Sequence, residues 1–531
     1  MITETTITVL PGEEENAKLI HQKVAAALAV KPEAITALVF KKKSIDARRG
    51  QVKLNLRYTV YIGEEPPVAG AAGFVPSWKQ ADKSRKVIIV GSGPAGLFAA
   101  LRLLEDGITP IIIDRGKPTE ERKLDIANIT RDQKIESESN YCYGEGGAGT
   151  FSDGKLYSRS NKRGDISRIL AIFHHHGADD EIRTDAHPHI GTDRLPTIIN
   201  NMRETICRFG GEFKFQTRCV GLIMENGKVV GVETRTGSAD ETAKPDTLTG
   251  DAVIMATGHS ARDIYALLAA YPGSLEAKTF AMGVRVEHPR ELIDRIQYHG
   301  QERGSTLPAA TYRLSAQAED RGVYSFCMCP GGLIVPSATA DDEIVVNGMS
   351  PSSRNTRWSN AAIVVETRPE DIPARFRIGD QDAVLAGIRY QQWLEREAKK
   401  QGKGQAAPAQ RLTDFIDEKA SAKLPDSSYS PGLVPSRLDL WLPEQISSRL
   451  REAFMEFNRF MKGFISSEAV IVGVETRTSS PVRILRNTET LESTTLAGLF
   501  PAGEGSGYSG GIVSSAMDGE ICAGAICAKL R

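Results

Sequence analysis

The chain has 531 residues, more than one hydrophobic core supports, so about three to four domains are expected. Apolar residues make up 40% and charged residues 25%, the balance of an ordinary soluble globular protein. The net charge of −1 leaves no overall field to steer the protein toward nucleic acid or an anionic membrane.

The first residues, "MITETTITVLPGEEEN", carry neither a basic nor an apolar leader region, so no secretory signal is read. The seven cysteines follow no disulfide-scaffold spacing, and reduced thiols in a cytoplasmic protein are expected. Residues 1–65 read as a small α+β unit. "TTITVL" predicts a strand, Asn16 to Ala29 a helix and Ala37 to Phe40 a second strand. In "QVKLNLRYTVYI", Val52, Leu54, Leu56, Tyr58, Val60 and Ile62 alternate with polar residues, the period of a half-buried antiparallel strand. "KKKSIDARRG", with Lys41, Lys42, Lys43, Arg48 and Arg49, predicts a basic hairpin tip. Such a tip is either solvated or a docking patch for nucleic acid or an acidic partner. Residues 66–84 are rich in Pro, Gly and Ala and read as a linker.

From Arg85 onward strand and helix alternate. Val87 to Val90 is a continuous apolar run, as in a parallel strand buried on both faces. The turn Gly91-Ser-Gly93-Pro94-Ala95-Gly96 follows at once. Gly91 suits the tight turn, Gly93 lets the backbone approach a pyrophosphate, and Gly96 lets helix and strand lie close. Pro94 fits a first helical turn, and the free N–H groups of that helix favour an anion. Ile111 to Ile113 form the next strand, and Asp114, followed by Arg115, ends it. The Asp114 carboxylate suits the hydroxyls of an adenosine ribose and would repel a 2′-phosphate. The apolar window Val87 to Leu104 is interrupted by three glycines and Pro94, so it does not read as a membrane span.

Beyond this unit, residues 211–236 predict a β-meander with a tight turn at Asn226–Gly227. "DAVIMATG" predicts a buried strand ending at Thr257–Gly258, with His259 next. Amphipathic helices are expected near Asp382 to Lys399 and Glu444 to Phe464. His174-His175-His176 fits the last turn of a helix better than a metal site, and no metal site is expected. His187-Pro-His189 reads as a turn. His259 and His288 are candidate proton donors, against a purely structural, hydrogen-bonded role. Cys327-Met-Cys329 is either a thiol pair in redox exchange or two buried thiols at a strand end. In a regular strand the two Cβ atoms stand about 7 Å apart, too far for a disulfide. Arg285, Arg477 and Arg483 are candidate carboxylate clamps, with Arg477 preferred.

The last stretch, "LAGLFPAGEGSGYSGGIVSSAMDGEICAGA", offers a strand, a glycine-rich turn and a long helix from about Gly511. It supplies a second helix N-terminus for an anionic ligand segment. With "YGEGGAGTFSDGKL" (143–156), "DAVIMATGHSARD" (251–263) and "FCMCPGG" (326–332), the chain resembles the glutathione-reductase-like FAD superfamily. More narrowly it resembles a bacterial family of uncharacterised FAD-dependent dehydrogenases. The resemblance implies an α/β fold with a discontinuous Rossmann-like FAD-binding domain, residues 85–277 and 466–531. An inserted α+β substrate domain, 278–465, would interrupt it, and the small N-terminal α+β domain would precede it. It also implies FAD contacts from Gly146, Gly147, Thr150, Gly154 and Lys155, from Thr257 and Gly258, and from Gly503, Glu504, Gly510 and Gly511. Glu504 stands where the family pattern has Asp, one methylene shorter.

No second strand–GxGxxG–helix unit is visible, and Cys142 stands alone where disulfide reductases carry a cysteine pair. The expectation is an FAD-dependent oxidoreductase acting on a small organic substrate, with NAD(P)H as a transient electron donor. The alternatives are a flavin-containing RNA- or protein-binding module acting through Lys41 to Arg49, and a flavin hydroxylase. Substrate and oligomeric state are not read from the sequence.

Overall fold

The computed structural model describes residues 1–48, 50–66, 74–157, 164–237, 244–304, 306–379 and 382–531. Near the N-terminus an antiparallel sheet takes the order Ile2–Val9, Lys53–Ile62, Ile35–Asp46. The helix Ala17–Leu28 packs on it, capped by the Asn16 side chain, which accepts from the Leu19 N–H at 3.1 Å. Val52, Leu54, Leu56 and Val60 are buried as the alternation requires, while Tyr58 and Ile62 are half-buried. The basic segment departs from expectation. Lys41, Lys42 and Lys43 lie inside the strand Ile35–Asp46, with Lys42 opposite Arg57, so the turn is shorter and less basic than the sequence suggests. Arg49 falls outside the described residues. The unit is also not a detached bead. Its apolar residues join one core with the inserted domain, and Lys43 exchanges backbone hydrogen bonds with Thr184 and Ala186, both 3.0 Å.

The expected linker is structured over its second half. Trp78 is buried against His175, His176 and Phe209, and Ala81 N–H donates to the Phe209 carbonyl at 2.9 Å. Residues 67–73 lie outside the described set. The indole adds large apolar burial that Pro/Gly composition alone conceals.

Five parallel strands form the nucleotide-binding sheet, in the order Leu499–Pro501, Ala252–Met255, Asp82–Val90, Ile108–Ile113, Glu212–Lys214. Both faces are covered. Helices Pro94–Glu105, Leu195–Arg208 and Ile512–Leu530 form one layer with Val87, Ile89 and Ile112. Helix Arg262–Ala269 and the meander cover Ile88, Val90 and Ile113 on the other. A sheet buried on both faces needs unbroken apolar strands, and these strands have them. The meander begins later than expected. Glu212–Lys214 is the fifth parallel strand, while Thr217–Glu225, Lys228–Thr236 and Asp246–Thr249 make the antiparallel sheet. Asn226 and Gly227 adopt φ of 50° and 76°, the positive values a two-residue hairpin turn needs.

The inserted domain carries a seven-stranded sheet in the order Ser315–Ala318, Arg321–Cys329, Trp358–Thr367, Phe280–Pro289, Val470–Glu475, Ala407–Arg411, Leu433–Pro435. Helices Ala386–Gln401 and Glu444–Phe460 pack against it. The expected return to the nucleotide fold at residue 466 comes too early, since Val470–Glu475 pairs with Phe280–Pro289 on one side and Ala407–Arg411 on the other. Its six residues are all buried, as suits a strand paired on both edges. Among the described residues no helix is long and apolar enough to cross a membrane.

Candidate functional site

One cleft lies where the carboxyl ends of the parallel strands meet the inserted sheet. It holds about 1660 Å³ of protein-free space, open solvent at its mouth included. Gly91, Gly93, Pro94, Ala95, Asp114 and Arg115 line it from the first nucleotide unit, and Gly510, Gly511, Ile512 and Ser515 from the last. Two turns far apart in sequence thus converge on one space.

Local chemistry explains the convergence. Gly91 has φ of 108°, and a Cβ on it would stand 2.7 Å from the Ala256 carbonyl oxygen. A Cβ on Gly96 would stand 2.0 Å from the Gly91 carbonyl oxygen, so only glycine lets this helix start so close to its strand. Gly96 itself faces the protein, not the cleft. At Gly93 the nearest atom to such a Cβ is the Gly147 Cα at 3.9 Å, and at Gly258, Gly510 and Gly511 nothing lies within 4 Å, so backbone at these points is open to a ligand. Neither helix N-terminus, at Gly93 or at Gly511, has a side-chain cap. Their first N–H groups and the positive ends of their dipoles are left for an anion.

Asp114 ends its strand as expected. One oxygen accepts from the Ser92 N–H at 2.9 Å and the Ser92 hydroxyl at 2.6 Å, and the other from the Gly116 N–H at 2.9 Å. A carboxylate has about four acceptor positions, so one remains for a ribose hydroxyl. Arg115 is clamped by Glu138 at 2.8 and 3.0 Å and by Asp263 at 3.0 Å, and it stacks 4.3 Å above the Tyr143 ring. These residues fit FAD: two uncapped helix ends for a pyrophosphate and a flavin edge, glycines where a Cβ would intrude, and a ribose-binding acid.

The loop of residues 143–155 divides. Gly147, Gly154 and Lys155 line the cleft, whereas Gly146 and Thr150 do not. A Cβ on Gly146 would clash with Thr150 Oγ1, and the Thr150 hydroxyl donates inward to the Glu145 carbonyl at 2.8 Å. Sequence reasoning missed the group that shapes this loop. Arg122 is fully buried and donates to the carbonyls of Asn140, Tyr141, Glu145 and Gly147 at 2.7–3.0 Å. It sits in "TEERKLD", a charged run that reads as a solvated helix face. Thr257, Gly258 and Glu504 line the cleft, and Gly503 backs it, its N–H donating to Asp518 at 2.8 Å.

The expected chemical groups separate sharply. His259 faces the cleft, its Nδ1 buried without a hydrogen-bond partner and 3.8 Å from Glu504 Oε1. Burial, then the Arg477 and Arg262 charges, hold its imidazolium down to about 3, so it is neutral. Burial pushes the Glu504 carboxyl up to about 7. His288 is a correction: it is fully buried in the inserted sheet, bonded to the Phe464 carbonyl at 2.8 Å and packed on the Phe464 ring, and it does not line the cleft.

Arg477 borders the cleft but is not a free clamp. Its Nε and Nη2 donate to Glu395 at 3.1 and 2.9 Å, Nη2 also to Glu343 at 2.8 Å, and Nη1 to Thr339 at 3.0 Å and Ser260 at 3.4 Å. Arg262 completes this buried cluster by binding Glu395 at 2.7 and 2.9 Å. The partners lie more than eighty residues away in sequence, which is why the cluster was not foreseen. Arg285 is likewise spent on Glu475, at 2.6 and 2.9 Å, and Arg483 pairs with Glu276.

Cys327 and Cys329 both line the cleft. A bulge interrupts the strand between Phe326 and Cys329, with Cys327 at φ of 42°, so the spacing of a regular strand does not apply. Cys327 is exposed into the cleft, and desolvation by the cleft walls pushes its thiol up to about 12, which keeps it protonated. His174 and His175 end the helix Ile166–His175 as expected, and His189 bonds the Ser352 carbonyl at 3.0 Å.

The family described as "Pyridine nucleotide-disulphide oxidoreductase" matches residues 85–288, and "FAD-dependent protein, C-terminal domain-like" matches residues 279–478. A domain of unknown function matches residues 1–61. A Clostridium beijerinckii protein, described as uncharacterized, is 37% identical over 525 residues, 95% of each chain. Among solved structures, glycine oxidase from Bacillus cereus is 12% identical, covers 84% of this chain and 96% of that one, and has a TM-score of 0.35. The flavin-dependent brominase Bmp2 is 13% identical over 84% of this chain and 79% of that one, with a TM-score of 0.37. The chain belongs, with the Clostridium protein, to a family of FAD-dependent oxidoreductases.

Proposed function

We propose that the protein is a dehydrogenase or reductase of the glutathione-reductase-like superfamily that acts on a small organic substrate bound in the cleft, with NAD(P)H as a transient electron donor. The observation that carries this reading is the meeting of two uncapped helix N-termini and the inserted sheet in one space. When bound, the flavin supplies two-electron hydride chemistry.

The chain's own residues do the rest. The N–H groups after Gly93 would hold the pyrophosphate, and Asp114 would accept a ribose hydroxyl. The N-terminus of Ile512–Leu530 favours negative charge beside it. Arg122 fixes the loop that carries Gly147. Glu504 is a cleft carboxyl that burial moves up to about 7, the range of a proton donor at neutral pH, with His259 Nδ1 3.8 Å away.

Anaerobic mixing of the flavin-loaded protein with NADH, NADPH and a panel of organic donors tests the reading. Bleaching of the visible flavin band by at least one of them is expected. A fully loaded preparation that none of them bleaches would overturn it.

A further inference from the structure

We infer that the corner of the cleft formed by Lys155, Asn347, Cys327 and Cys329 is the seat of a single carboxylate, so that the substrate is an organic acid. This rests on the proposed function, names its substrate class, and moves Lys155 from the FAD contact that the resemblance implies to the substrate.

Lys155 stands in the loop that the nucleotide fold presents to the inserted sheet, bridged through its backbone to His189. Its ammonium carries three donors, yet makes no hydrogen bond among the described residues. Among the described residues its one ionic neighbour is Asp153, at 3.6 Å. That carboxylate is already taken by Arg354, which binds it at 3.0 and 2.5 Å. The nearby Arg285 is likewise answered by Glu475. His189 is held neutral, by burial first and then by Arg354. The Cys327 thiol is pushed up and stays protonated, and the Cys329 Sγ is bonded inward, 3.3 Å from the Cys327 carbonyl oxygen. Asp153 cancels Arg354 and Glu475 cancels Arg285, so the Lys155 charge is left over. The Lys155 ammonium keeps its donors free toward the cleft, and one singly charged anion would balance the remaining charge.

Asn347 supplies a second donor. Its Oδ1 accepts from the Gly348 N–H at 2.7 Å and from Arg285 Nη2 at 3.2 Å. Two donors on that oxygen fix which way the amide points. The NH2 group is therefore the end without a partner among the described residues, and Asn347 lines the cleft. Gly348 beside it cannot be larger, since a Cβ would stand 2.2 Å from Arg285 Nη1. One cation and one amide donor match the two oxygens of a carboxylate better than the higher charge of a phosphate.

The test titrates the flavin-loaded protein with acetate, pyruvate and benzoate, and with their neutral amides, while following the visible flavin spectrum. At least one carboxylate is expected to perturb the spectrum saturably and to bind about tenfold or more tightly than its amide. Lys155→Met should keep its flavin and lose about tenfold in carboxylate affinity. Where that variant does not fold by circular dichroism, Lys155→Gln takes its place with the same expectation. Equal affinities for acid and amide, no saturable effect of any acid, or unchanged carboxylate affinity in the variant would each overturn the inference. So would a folded variant that has lost FAD, since the cation would then serve the cofactor. Reduction of the flavin is not read in this titration, so its outcome is separate from that of the donor screen.

Discussion

Two neighbouring regions treat their polar groups in opposite ways. In the buried cluster of Arg262, Glu343, Glu395 and Arg477, every carboxylate is bound and all the Arg477 nitrogens donate. Along the cleft wall the helix ends at Gly93 and Gly511 are uncapped, His259 Nδ1 has no hydrogen-bond partner and the Lys155 ammonium has only a distant one. The cluster's carboxylates and the Arg477 nitrogens hold the scaffold together, although Arg262 Nε has no partner among the described residues, whereas the open groups on the cleft wall face a space a ligand can enter. Residue type does not separate the two, as both regions are rich in charge.

The contrast can be broken by substitution. Gly96→Val should have the largest effect, because its Cβ would overlap the Gly91 carbonyl oxygen, 2.0 Å away. The flavin-to-protein absorbance ratio is expected to fall at least about tenfold. A ratio near that of the parent would show that the close helix–strand approach is not required. Glu395→Ala leaves two buried guanidinium groups short of a counter-ion, and should cost about 3–5 kcal/mol in urea unfolding of the flavin-loaded protein. A cost below about 1 kcal/mol would mean the cluster is not what holds the inserted domain to the nucleotide fold.

The third prediction concerns pH. Burial pushes Glu145, Glu504 and Glu520 up to about 7 from an ordinary 4.5. A carboxyl raised in the folded state binds a proton that the unfolded chain releases. Its contribution is complete below about pH 4.5 and is lost as pH rises through about 7. The melting temperature of the apoprotein is therefore expected to fall between about pH 6.5 and 8, above the range in which the histidines buried neutral in the fold titrate in the unfolded chain, and Glu504→Gln should flatten that slope. The smallest effect is expected at His288→Gln. It removes one hydrogen bond to Phe464, worth about 1 kcal/mol, and should leave the rate of flavin reduction within about twofold. A larger fall in rate would return His288 to the chemistry.

The same contrast explains what was legible in the sequence. The strand, the turn from Gly91 to Gly96, the helix and Asp114 are local, and their periodicity and glycine spacing are visible in one short stretch. The second turn at Gly510–Gly511 is legible for the same reason. Arg477 and His288 misled because their partners, Glu343, Glu395 and Phe464, come from distant segments. Arg122 was hidden because burial of a charged residue leaves no local mark when its acceptors are backbone carbonyls in another loop. The strand Val470–Glu475 was assigned to the wrong sheet because an apolar run says that it is buried but not against what.

The arrangement of the parallel sheet has a consequence for how the holoprotein is made. A ribosome delivers the strand Leu499–Pro501 and the helix Ile512–Leu530 about four hundred residues after the turn at Gly93. A nascent chain therefore has half a cradle until the whole insertion has emerged and folded back. Cofactor loading then acts as a late checkpoint, passed only when both ends of the nucleotide fold have found each other.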